Sequence, residues 1–129
     1  MDVLQKGLSA SWTRNAVIRN NLANVETPNF KASVVEFESL LAKALEEGGF
    51  TGTRTHPGHR EIGAGSTGWE TVRPLVLQNG ELSMRMDGNN VDIESENVRM
   101  AQNTLFYNTL MEKMNSEIRR LRMAISEGK

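Results

Sequence analysis

Residues 92–126 read DIESENVRMAQNTLFYNTLMEKMNSEIRRLRMAIS, with no Gly or Pro in the stretch. Asp92 stands where a side-chain oxygen can cap a free N–H of a first helical turn. Behind it Met100, Thr104, Tyr107, Met111, Met114, Ile118, Leu121 and Ile125 recur at alternating spacings of four and three. That repeat keeps one seam on a single helix face, as in a coiled coil. A helix over this stretch is about 52 Å long at 1.5 Å per residue. A compact globule formed by 129 residues has a radius of gyration of only about 14 Å, so the helix overruns it.

The other end carries a shorter version of the pattern. Leu4, Leu8, Ser11, Asn15, Ile18, Leu22 and Val25 follow the same spacing, with polar breaks at Ser11 and Asn15. Asp2 and Gln5, three apart, match a capping box. Pro28 ends this helix near Asn24, because it disfavours the α region at Thr27 and has no N–H to donate. At about 36 Å the N-terminal helix is the shorter. If the two pair, part of the C-terminal seam stays uncovered in an isolated chain and calls for neighbours. The alternative is a closed two-helix hairpin, since a heptad repeat does not say whose helix is the partner. The later methionines, Met84, Met86, Met100, Met111 and Met114, supply adaptable apolar surface.

Between the ends, seven of the 11 glycines fall within Gly48 to Gly68, which reads as an irregular loop. Before it, Val34, Phe37, Leu41 and Ala44 have the spacing of a short amphipathic helix, stopped by Gly48 and Gly49. After it, Val72 to Leu77 and Glu81 to Met86 flank Asn79-Gly80, the dipeptide suited to a type I′ hairpin turn. Asp87-Gly88-Asn89-Asn90 is a second turn cluster leading into the last helix. The expected class is mainly α: long N- and C-terminal heptad helices form a coiled-coil-like pair around a small middle holding a short helix, a Gly-rich loop and a β-hairpin. The expected divisions are residues 1–31, 32–91 and 92–129.

Composition narrows the function. Net charge is −1, and the basic run Arg119, Arg120, Arg122 reads as a solvated helix end rather than a phosphate-binding face. No nucleic acid is expected. The longest charge-free run, Met100 to Met111, is far short of the roughly 20 apolar residues that span a bilayer, so direct membrane insertion is not expected. No apolar segment follows a basic start, so no cleaved signal peptide is expected. Aromatics are 5% and Cys is absent, which points to a thin core and removes thiol chemistry.

Catalytic and metal patterns fail on spacing. His56 and His59 are interrupted by Pro57-Gly58 and lack the third and fourth ligands that zinc uses. In the run from Asp87 the glycine stands second rather than sixth, and Val98 occupies the twelfth position where a calcium loop needs Glu. Gly63 to Gly68 lacks the frame of a nucleophile elbow. The paired carboxylates Glu46-Glu47 and Glu94/Glu96 fall at predicted helix ends, as dipole or capping partners or solvated groups. No catalytic site, cofactor or metal is expected.

The stretch Asn21-Leu22-Ala23-Asn24-Val25-Glu26-Thr27-Pro28-Asn29-Phe30 resembles the N-terminal signature of bacterial flagellar rod and hook proteins, N-[LI]-A-N-x-x-T-P-G-[FY]. Its residues also read physically. Asn21 and Asn24 can bond free carbonyls at the helix end, Thr27-Pro28 favours an extended exit, and Phe30 turns back as an apolar anchor. The departure is Asn29 where the family has Gly, and Asn is the residue after Gly that best tolerates positive φ. Val35 to Leu41, Thr55 to His59, and Asp87-Gly88-Asn89-Asn90-Val91-Asp92 followed by Ala101 to Tyr107 narrow the resemblance to the proximal rod. The related rod subunit FlgC shares the N-terminal signature but would lack the Asp-Gly-Asn-Asn-Val-Asp run.

The resemblance implies a structural subunit of the flagellar basal-body rod, periplasmic in place, exported unfolded by the type III apparatus without a cleaved signal. It implies helical assembly that helps transmit torque and form the wall of the export channel. The implied partners are copies of the chain itself, other rod subunits including FlgC, the FliE adaptor, the FliF membrane ring and the export gate. Asn21, Leu22, Ala23, Asn24, Thr27, Pro28 and Phe30 are then the assembly motif. Leu4, Leu8, Ile18, Leu22, Met100, Tyr107, Met111, Met114, Ile118, Leu121 and Ile125 are the assembly seam. Phe37 and Leu41 resemble the aromatic-x-x-x-hydrophobic element by which early flagellar subunits dock on the gate. From another class, a cytosolic helical adaptor or export chaperone is the alternative.

Overall fold

A computed structural model of the chain describes residues 1–47, 68–80 and 85–126. In chain order the elements are α1 (Asp2–Ala23), β1 (Ser33–Glu36), α2 (Glu38–Glu47), a 3-10 turn (Trp69–Thr71), β2 (Leu75–Gln78) and α3 (Ile93–Ser126). Two long helices around a small mixed middle is the expected class, with both boundaries within two residues of those predicted. The His56/His59 pair, Gly48, Gly49, most of the Gly-rich loop and Glu81 to Met84 lie outside the described residues.

Local chemistry sets the helix ends. Asp92 caps α3 as expected, its Oδ1 accepting from Glu94 N at 3.1 Å. Asn24 Nδ2 donates to the Asn20 carbonyl at 2.8 Å, closing α1 in the expected manner. The Asp2–Gln5 capping box does not form. The helix begins one residue earlier, with Met1 at the N-cap and Gln5 N donating to Met1 O at 3.0 Å. Asp2 therefore sits inside the first turn, where its charge complements the helix dipole without capping it.

α1 and α3 pack antiparallel. Gly7 faces Leu110, Ser11 bonds Asn103, and Asn21 bonds Glu96, so residue numbers fall on one helix as they rise on the other. That register brings Met1 level with about residue 115. The last ten or so residues of α3, about 15 Å, run on beyond α1. A Cβ at Gly7 would lie 3.1 Å from Leu110 Cδ1, so the helices approach closely where glycine leaves room.

The middle differs from expectation in two pairings. Val34 belongs to a strand, not to the short helix, which starts after Phe37. The run Ser33-Val34-Val35-Glu36 suits a pleated surface better than a helix because β-branched side chains are stiff at χ1. β2 forms where a strand was expected, but its antiparallel partner is β1, in the register Val34↔Leu77 and Val35↔Val76. Of the expected second hairpin strand, Glu81 to Met86, the described residues Arg85 and Met86 lie in a bend and turn. The sheet is thus closed by a long connection rather than by Asn79-Gly80.

Among the described residues the buried apolar ones are Ala10, Ile18, Ala32, Phe37, Ala44 and Val91. Three are alanines, so little apolar area leaves water within one chain. Two positive-φ residues meet at the turn below the sheet, Asn29 (φ 59°) and Gly88 (φ 74°). Asn29 thus adopts the conformation the family's glycine would supply. At Gly88 an added Cβ would lie 2.6 Å from Asn29 Oδ1. Gly88→Ala is expected to lower stability by about 1–3 kcal/mol from left-handed strain and that collision, read as a lower urea midpoint at unchanged slope.

Candidate assembly surface

Two segments 60 residues apart in the chain, 21–33 and 85–96, tie into one knot of backbone-directed hydrogen bonds. Asn89 is fully buried and its Nδ2 lies 2.9, 3.0 and 2.9 Å from the carbonyls of Asn24, Val25 and Thr27. Its Oδ1 accepts from Val91 N at 2.8 Å. Asn90 Oδ1 accepts from Ala32 N at 2.7 Å, and its Nδ2 donates to Asn79 O at 3.0 Å. Asn29 N donates to Asp87 O at 2.8 Å, and Lys31 Nζ reaches Gly88 O at 3.0 Å. Both asparagines mimic backbone: Asn89 satisfies carbonyls left open just past α1, and Asn90 links Ala32 before β1 to Asn79 after β2.

The same knot corrects two readings of the Asn21–Phe30 stretch. Asn21 does not bond its own helix end. Fully buried, it clamps Ser33, accepting from Ser33 N at 2.9 Å and donating to Ser33 O at 2.8 Å, and so fixes β1 against α1. Nor does Thr27-Pro28 give an extended exit. The chain leaves through successive turns, with Thr27 N donating to Asn24 O and Phe30 N to Thr27 O. Leu22 and Phe30 are half-buried, while Ala23, Thr27 and Pro28 are exposed.

Inside the helix pair the contact is polar. Asn103, 3% exposed, donates from Nδ2 to Ser11 O at 2.9 Å, and Ser11 Oγ donates to Asn103 Oδ1 at 2.9 Å. Glu96, 2% exposed, accepts from Asn21 Nδ2 at 3.2 Å and Arg99 at 2.8 Å. Burial overturns the solvated reading of Glu96, while its place in the first turn of α3 keeps the dipole-complementing one. Every buried side-chain polar atom among the described residues has a partner, as burial requires.

The expected seam is consequently shared between inside and outside. Ile18 is buried; Leu4, Leu8, Met100, Met111, Met114 and Ile118 are half-buried. Tyr107 is borderline, and past the end of α1 Leu121 and Ile125 are 53% and 73% exposed. The α1–α3 contact is centred on Gly7, Ser11, Glu96 and Asn103, of which only Ser11 lies on an expected stripe. Sequence reading placed polar breaks at Ser11 and Asn15 but had no signal that Asn103 and Glu96 face inward. Trp12 and Leu105 lie off the four-three stripe, so the repeat gives no signal of them, yet they are 73% and 69% exposed. Phe37, by contrast, is buried and Leu41 half-buried.

Two clefts run along opposite flanks of the pair. One, of about 460 Å³, lies between α1, β1 and α3, with Val17, Val34, Val35 and Phe106 in its wall. The other, of about 270 Å³, is bordered by Trp12, Arg19 and Tyr107. Among the described residues no three His, Cys, Asp or Glu side chains converge as a metal site, and no helix is long and apolar enough to cross a membrane.

Comparison with known proteins matches the chain to flagellar rod proteins. The family described as flagella basal body rod protein matches residues 1–31, the whole of α1 and its exit turns. Flagellar basal body rod protein FlgB of Bacillus subtilis is 32% identical over 126 residues, covering 98% of this chain and 92% of the relative. FlgB of Aeromonas hydrophila is 34% identical, covering 94% and 88%, and FlgB of Borrelia hermsii 35% identical, covering 83% and 81%. These alignments span both halves of the knot, which sets aside FlgC and the cytosolic adaptor or chaperone. The chain belongs to the FlgB family of structural subunits of the flagellar basal body rod.

Proposed function

We propose that the subunit builds the rod through its terminal helices, with the polar α1–α3 contact fixing each chain's own fold and the apolar stripe left over serving its neighbours. One observation carries this reading: Leu121 and Ile125 continue the apolar seam onto a part of α3 that α1 does not reach. Such residues gain burial from a neighbouring chain. Copies of the same chain and further rod subunits such as FlgC supply the cover, in a head-to-tail array whose inner helices line the export channel and carry torque. The FliE adaptor and the FliF membrane ring are the neighbours at the base of the array. The subunit acts without catalysis, cofactor or metal.

Arrival in the periplasmic rod proceeds by type III export of the unfolded chain, without a cleaved signal. Phe37 and Leu41 are then presented to the export gate before folding, because Phe37 is buried once β1 and α2 form. A strain lacking the gene, complemented with the untagged chain, tests this reading. The chain is expected in purified basal bodies when the type III system is intact and in the cytoplasm alone when it is not. Recovery outside the inner membrane without that system, or normal basal bodies without the chain, would overturn it.

A further inference from the structure

The two flanks of the helix pair differ in a way that fits one copy onto the next. Trp12 projects from α1 at 73% exposure, and Arg19, seven residues on and on the same helix face, is also exposed. Among the described residues Arg19 has no hydrogen-bond or ion-pair partner. At 100° per residue Arg14 and Val17 point to the other flank, into the cleft of about 460 Å³ between α1, β1 and α3. The wall of that cleft is apolar, from Val17, Val34, Val35 and Phe106, and its polar lining holds two arginines, Arg14 paired with Glu38 and Arg99 paired with Glu96. Glu38 holds Arg14 at 2.6 Å but keeps a side chain 53% exposed. Nearby on β1, Glu36 is exposed, with no cationic partner among the described residues.

We propose that Trp12 of one copy seats in this cleft of the adjacent copy, with Arg19 meeting the acidic side of the rim. This deepens the rod-assembly reading and rests on it. The indole is apolar on its faces and donates one N–H, which matches an apolar wall edged by a carboxylate. The Arg19 charge and the Glu36 and Glu38 carboxylates are complementary across the contact. Knob and hole lie at the same height on opposite flanks, so the contact is heterologous and adds copies in one direction instead of closing a two-fold dimer. One indole buries about 150–250 Å², well below the roughly 1,000 Å² that a stable interface needs. The contact therefore forms where other helix contacts already hold the copies side by side, and the free chain stays monomeric.

The chain has no cysteine, which makes the test direct. Ala16→Cys lies on the Trp12 flank and Gln102→Cys beside the cleft, both at exposed positions. The two single-cysteine chains, co-expressed and oxidised in purified basal bodies, are expected to give a mixed disulfide dimer that neither gives alone. Trp12→Ala in both chains is expected to reduce its yield at least tenfold, with Trp12→Phe retaining most of it and the melting temperature of the free chain unchanged. No mixed dimer in basal bodies that contain both chains would overturn the proposal while leaving rod assembly standing. Cross-linking of either cysteine to a different rod subunit alone would also overturn it. Absence of both chains from basal bodies would remove the assembly reading and this contact together.

Discussion

Asn89→Ala is expected to lower the free energy of unfolding by about 3 kcal/mol or more. The side chain is fully buried, bridges three carbonyls of the 24–27 turns and accepts the Val91 amide. Each buried group left without its partner costs about 1–3 kcal/mol, and several are left at once. Asn89→Asp keeps the shape but turns the donor into an acceptor facing carbonyl oxygens, so it is expected to be at least as damaging. Urea unfolding of the purified chain measures both. If Asp is tolerated while Ala is not, packing rather than hydrogen bonding holds the knot. Hydrogen exchange should rise first at the amides of 24–33, the segment that Asn89 secures.

The second large effect is on assembly alone. Leu121→Lys with Ile125→Lys alters residues already more than half exposed, so the free chain should change in stability by no more than about 0.5 kcal/mol. In an array that buries both, the loss of two aliphatic side chains removes about 3–6 kcal/mol of apolar burial. Since 1.4 kcal/mol is tenfold in an equilibrium constant, incorporation into basal bodies should fall by about a hundredfold or more, and motility with it. Met114→Lys with Ile118→Lys should also block incorporation, but those residues are half-buried within the chain, and the outcome would mix folding with assembly. Deleting residues 1–24 has the same difficulty, because α1 carries the Asn21 clamp on β1. The Leu121 and Ile125 pair separates the two effects.

Both long helices were legible because their punctuation and period agree: Asp92 as cap, Asn24 and Pro28 as stop, and four-three spacing between. Their mutual orientation was not. Heptad reading follows the apolar positions, and the intrachain contact instead uses Gly7, Ser11, Asn103 and Glu96, where small side chains permit approach and paired polar groups fix register. The apolar stripe read from the sequence was real, and much of it faces outward in the free chain. The strand pairing was hidden for another reason. Asn79-Gly80 is a strong local turn signal, whereas β1 and β2 are bridged by Asn90, which bonds Ala32 and Asn79 beside them, across a connection of nearly forty residues that no local pattern announces. The signature residues were recognised as a motif before their work was visible: one set of asparagines completes the backbone bonds of the other.

The central claim is that neighbouring subunits cover the part of α3 that α1 leaves bare. Leu121→Cys, the only thiol in an otherwise cysteine-free chain, reports this by its rate of reaction with a maleimide. The free subunit should react at the rate of an exposed thiol, and intact basal bodies at least tenfold more slowly, with the fast rate returning on dissociation. Equal rates in the free and assembled states would contradict the claim.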